Sequence, residues 1–248
     1  MDPHQAPPFN IGVMQGCLSA PTWPSEFQNA KSTGFDFIEW IFDGDPSPPL
    51  ATPEGIEKIR RQVHETGVRV GAISADFFRT HLLVGPDGQP SPSALERLEW
   101  LLERAKLLEI PHIVLPFVEE SSISRLIQFE GLGFILQKFL PQVEATNVGL
   151  HLKTDLPPAQ FAELLGNISH HLVRAVYDTG SSEPAQALGS YGDFVGSVHI
   201  HDFENGAHCQ TSLQILKELE FKGPFTLMEA RDIESAIRHR QFVENLLQ

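Results

Sequence analysis

The sequence predicts an α/β fold, a single-domain (β/α)8 TIM barrel over residues 9–248, preceded by a flexible N-terminal tail at 1–8. Three observations predict it. Eight short β-branched or aromatic runs alternate with longer segments of helical period, ionisable residues gather at one end of those runs, and no Gly/Ser linker or charge run divides the 248 residues. Strict alternation requires parallel strands, because each crossover helix returns the chain to the same end of the sheet. The competing open sheet would carry a GxGxxG phosphate loop after its first strand, and 12–16 does not supply one.

The strand-length runs are 11–16, 35–41, 68–75, 112–118, 148–153, 173–178, 195–201 and 225–229. Helical segments follow from capping and periodicity. The first is 24–32. The second, 53–65, has Thr52 placed as N-cap, Pro53 in the first turn and Gly67 as the stop. Segment 93–108 carries Leu95, Leu98, Leu102 and Ala105 on one face. Segment 122–143 is helical with a break expected at Gly131 to Gly133, and 158–165, 211–219 and 233–247 close the series.

Composition narrows the partners. There are 18 Lys and Arg against 32 Asp and Glu, a formal net charge of −14, with no clustered basic run, so nucleic acid and anionic membranes are excluded as expected partners. No apolar stretch approaches the roughly 20 residues of a spanning helix. The polar, proline-rich start lacks the basic and apolar regions of a secretory signal. Two cysteines, Cys17 and Cys209, form no CxxC pair. A cytoplasmic location is the expectation, with both cysteines acting as small buried groups.

In a barrel of this kind the C-terminal strand ends face the mouth where chemistry occurs. Those ends carry Glu39, Asp76, Glu119, Lys153, Asp178, His199, His201, Asp202, Glu229 and Arg231. If Asp178 and Glu229 point inward, Val176 and Leu227 lie behind them as apolar filling, and Lys153 and His199 share that parity. An acid, an imidazole and an acid are thereby expected at one level of the sixth, seventh and eighth strands.

The segments GVMQG at 12–16, EF at 26–27, GFDFIEWI at 34–41, ADFF at 75–78, LPFV at 115–118, LKTDLPP at 152–158, YDTG at 177–180, VHIHD at 198–202 and LMEAR at 227–231 resemble, in order and spacing, the xylose isomerase-like TIM barrels, which include sugar and sugar-phosphate isomerases and epimerases. The resemblance spans nearly the whole chain. It implies one divalent metal (Mn²⁺, Zn²⁺ or Mg²⁺) at the mouth, held from strands 5, 6, 7 and 8, and carboxylates that shuttle the proton α to a carbonyl. Asp178, His199 and Glu229 match that ligand pattern by position. Lys153 stands where the family has Glu, and a protonated ammonium cannot ligate a cation. Ser181, Cys17 and the short segment 203–210 also depart from the family pattern, the last weakening a sugar-phosphate assignment.

Replacing one carboxylate and a divalent ion by one ammonium leaves the net charge of the pocket unchanged. The expectation is therefore an enzyme without a tightly bound cofactor, in which Lys153 is held by Asp178 and Glu229 and polarises a carbonyl as the metal would. Glu229 is the first candidate base, His199 orients or relays, and Asp178 fixes the cation. If Lys153 swings out instead, Asp178, His199 and Glu229 are expected to hold a divalent ion weakly. Arg231, His201, Glu39 and Glu119 are the expected contacts to a small carbohydrate-like substrate. A barrel that binds such a ligand or a protein partner without turnover, and a Schiff-base lyase or aldolase using Lys153, are the other readings. A homo-oligomer is compatible with all of them.

Overall fold

Local sequence signals start and stop the helices as expected. In the computed structural model, which describes residues 10–44, 49–201, 203, 206–230 and 232–248, Thr52 Oγ1 accepts a hydrogen bond from Gly55 N–H at 3.1 Å. Helix α2 (Pro53–Thr66) then ends at Gly67 with φ 77°. The other elements are β1 (Ile11–Met14), α1 (Trp23–Thr33), β2 (Phe37–Ile41), β3 (Arg69–Ser74), α3 (Pro92–Leu107), β4 (His112–Phe117), α4 (Leu126–Thr146), β5 (Gly149–Thr154) and α5 (Pro158–Ile168). The chain continues through β6 (Val173–Asp178), α6 (Pro184–Tyr191), β7 (Val195–Ile200), α7 (Ala207–Glu218), β8 (Phe225–Leu227) and α8 (Ile233–Leu247). The expected tail at 1–8 lies outside the described residues.

All eight strands pair in parallel in chain order, and β8 closes on β1 through Ile11↔Phe225 and Val13↔Leu227. The (β/α)8 barrel is thereby shown. Two helical details differ from the sequence reading. Helix α6 is an additional helix, eight residues long and opening on Pro184. Helix α4 runs unbroken through Gly131 and Gly133. Gly131 is there for close approach: a Cβ would sit 2.1 Å from the Gly88 carbonyl oxygen.

The barrel interior is filled by pairing large side chains with missing ones. The Phe37 ring occupies the space that Cβ atoms on Gly12 and Gly71 would enter, at 2.2 and 2.3 Å, and His151 lies 2.7 Å from where a Gly196 Cβ would be. The interior also holds a buried polar group that includes Glu39, His112, His151, Ser197, His199 and Thr226. On β8 the alternation runs opposite to the expected one. Thr226 points inward and donates to Glu39, so Leu227 packs into the apolar core and the strand ends before Glu229.

Candidate functional site

Three strand ends meet at the mouth. Lys153 from the end of β5 places Nζ 2.8 Å from Asp178 Oδ2 at the end of β6. His201, just past β7, brings Nε2 to 3.2 Å from the same carboxylate oxygen. Its Nδ1 lies 3.6 Å from Glu229 Oε1. Asp178 Oδ1 accepts from Gly180 N–H at 2.9 Å. Burial alone would raise the Asp178 carboxyl, but the His201 imidazole beside it and the Lys153 charge outweigh it and hold the group well below the usual carboxylate range.

Thr179 fixes this geometry. Its hydroxyl accepts from His201 N–H at 2.9 Å and donates to His201 C=O at 3.1 Å, while Thr179 N–H donates to His199 C=O. The chain beyond β7 is thus fastened to the end of β6 on both backbone groups of His201. Lys153, Asp178 and His201 form one wall of a cleft of about 710 Å³ that extends outward between α5 and α6, past Asp155, Glu183, Phe161 and Tyr191.

The structure separates the expected acid–imidazole–acid set. His199 does not face the mouth beside Asp178 and Glu229. Its Nε2 is 3.0 Å from Glu39 Oε1 in the barrel interior, and both side chains are closed to solvent, at 1% and 0% exposure. Thr226 Oγ1 donates to Glu39 Oε2 at 2.7 Å. Burial would raise the Glu39 carboxyl, but His199 and then Thr226 outweigh it and hold it low. Neither Glu39 as substrate contact nor His199 as mouth ligand is brought to the cleft, because both lie one layer beneath it. The misleading signal was parity: His199 and His201 both point inward, and their order along β7 puts the second one at the mouth.

Glu119 pairs with Arg79 on an exposed turn and does not line the cleft. Arg231 and Asp202 lie outside the described residues. The Cys17 thiol donates to Met228 C=O at 3.3 Å, and burial pushes it up to about 11; Cys209 is buried. Sequence reasoning passed over His112, His151, Thr179 and Thr226. The two histidines stack at 3.9 Å between ring centroids, and His151 Nδ1 lies 2.9 Å from Ser197 Oγ. Burial pushes His112 down to about 4 and holds His151 well below the usual imidazole range. His151 was within reach of the alternation rule, two residues before Lys153.

The side chains as placed do not fit the divalent metal implied by the resemblance. The Lys153 ammonium takes the Asp178 carboxylate, His199 is committed to Glu39, and among the described residues no group of three His, Cys, Asp or Glu side chains is arranged to hold an ion. No helix among the described residues is long and apolar enough to cross a membrane.

Similar solved structures include the 3-keto-D-glucoside 4-epimerase YcjR from E. coli, with 19% identity and a TM-score of 0.70 over 96% of this chain and 99% of that chain. A D-psicose 3-epimerase from Clostridium cellulolyticum H10, determined with D-tagatose, gives 13% and 0.71 over 96% of each chain. A xylose isomerase-like TIM barrel protein from Mycobacterium smegmatis in complex with magnesium gives 13% and 0.72 over 96% of each. At these identities the likeness is one of fold. No curated protein sequence matches the chain. The family model described as xylose isomerase-like TIM barrel matches residues 27–243, and with the closed eight-stranded ring this places the chain in the xylose isomerase-like TIM barrel family.

Proposed function

We propose that the protein is a sugar or sugar-derivative isomerase or epimerase that moves a proton α to a carbonyl, with the Lys153 ammonium serving where relatives use a metal. One observation carries the reading: Lys153 Nζ sits 2.8 Å from Asp178 Oδ2 in the wall of an open cleft, beside His201. An ammonium has three donors. One is engaged by Asp178, which leaves two for a substrate oxygen.

Glu229 removes the proton on the carbon next to the carbonyl, and the electron pair moves onto the carbonyl oxygen to give an enediolate. The Lys153 ammonium stabilises that oxyanion. His201, between Asp178 and Glu229, relays the proton returned to the neighbouring carbon or to the opposite face. The names of two structural relatives, both sugar epimerases, support the reaction class. Schiff-base chemistry would first require Lys153 to leave Asp178.

The test is solvent deuterium exchange into a panel of ketoses, combined with elemental analysis of the purified protein. Exchange that Glu229→Gln and Lys153→Met both abolish supports the reading. Glu229 is not among the residues that line the cleft, which favours one second reading: a barrel that binds a carbohydrate-like ligand without turnover. Ligand-induced thermal stabilisation with no exchange would select it.

A further inference from the structure

The mouth has a second recess that the reaction above does not use. It lies over the ends of β1 and β2, encloses about 550 Å³ and shares no lining residue with the β5–β6 cleft. Its donors and walls are fixed by the fold. Gln15 Oε1 accepts from Ile41 N–H at 2.8 Å, which sets the amide and leaves both N–H groups of Nε2 without a partner among the described residues. Glu26, itself buried, accepts from Gly16 N–H on Oε1, and Oε2 has no partner among the described residues.

Trp23, half-buried, is held edge-on to Trp40 at 5.6 Å and to Phe27 at 6.2 Å between ring centroids. Gly16, at φ 91°, opens its backbone to the recess with no atom within 4 Å of an ideal Cβ. The next residue, Cys17, donates its thiol to the carbonyl of Met228, the residue before Glu229. Among the described residues no Lys or Arg lines the recess, and its ionisable residues are Glu26 and Asp43.

Two acidic side chains and no cation among the described lining residues argue against a phosphate or carboxylate group. An indole, two amide donors and a carboxyl acceptor converging on one space suit a neutral ring with an apolar face and vicinal hydroxyls. We infer that the β1–β2 recess is a sugar subsite that holds a neutral, unphosphorylated ring carried by the substrate beyond its reacting carbonyl. The substrate class is then a glycoside rather than a single ketose phosphate, an inference that rests on the reaction reading only for what happens at Lys153.

The experiment is a titration of the ¹⁵N-labelled full chain, following the indole N–H signals of its three tryptophans, with methyl β-D-glucopyranoside in one arm and glucose 6-phosphate in the other. The Trp23 signal shifts saturably with the glycoside and not with the phosphate. Gln15→Glu keeps the oxygen that accepts from Ile41 and removes the amide donors, so it weakens the glycoside about tenfold. Trp23→Leu, at a half-buried position, weakens it comparably. Glu119→Gln, on the exposed turn outside both recesses, leaves glycoside affinity within about twofold of wild type. An unmoved Trp23 signal, equal response to the phosphate, or undiminished affinity in both recess variants overturns the inference. Failure of the reaction reading appears elsewhere, as deuterium exchange that survives Lys153→Met.

Discussion

His199 and Glu39 face each other at 3.0 Å inside the barrel, one on β7 and the other on β2, with Thr226 donating to the same carboxylate. A pair this deep replaces water by one another, and removing one partner strands the other in a medium that solvates it poorly. Glu39→Ala should therefore destabilise the barrel by about 3 kcal/mol, whereas the double change Glu39→Leu with His199→Phe should be less damaging than the single one. Urea denaturation of the singles and the double measures the coupling. Additive losses would show that the pair contributes nothing as a unit.

The same interior makes stability depend on pH. Burial lowers His112 from 6.5 to about 4, so between those values the unfolded chain binds a proton that the folded one refuses. The stabilisation is complete above pH 6.5 and is lost as pH falls toward 4. Its size is about 3 kcal/mol from this one ring, and His151 acts with the same sign. Unfolding free energies measured at pH 7.5, 6.5 and 5 should fall in that order. A flat profile would mean that water reaches these rings.

Thr179 is expected to act through His201. Thr179→Val removes both side-chain bonds to the His201 backbone, frees the imidazole from Asp178 and raises the Asp178 carboxyl toward its ordinary range. Thr179→Ser keeps the bonds. Carbon-13 titration of the Asp178 carboxyl separates the two variants, and an identical low value in both would remove Thr179 from the site.

Gly131 sets helix propensity against packing. Gly→Ala inside a helix ordinarily stabilises by about 1 kcal/mol. Here the new Cβ would sit 2.1 Å from the backbone oxygen of Gly88, which a side-chain rotation cannot relieve. Gly131→Ala should lower the melting temperature, and a rise would show that the 88 turn yields freely.

These residues also mark what a sequence can disclose. The eight-fold alternation and the caps at Thr52 and Gly67 are local or periodic properties, and they were legible; the pairing of Lys153 with Asp178 followed from the family resemblance and charge balance, and the Glu229 carboxylate expected beside it lies against His201 instead. The break expected at Gly131 to Gly133 was not, because the purpose of Gly131 is a contact with Gly88, 43 positions away, that no window contains. Strand parity failed at β8, where the short strand Phe225–Leu227 ends before the expected ligand and Thr226 takes the inward position. Parity also cannot rank two inward residues by depth, and so His199 was read at the mouth together with His201, where only His201 stands. Depth is set by stagger around the ring, which includes register shifts at Ile38/Glu39 and Ala175/Val176.

The most direct test of the central claim, that an ammonium at Asp178 does the electrostatic work at this mouth, is α-proton exchange of a ketose substrate in D2O by protein stripped with EDTA. The account predicts exchange that is insensitive to EDTA and to added Mn²⁺ in wild type, and that falls by roughly 10²-fold or more in Lys153→Met. Exchange that EDTA abolishes and Mn²⁺ restores, with Lys153→Met behaving as wild type, would contradict it.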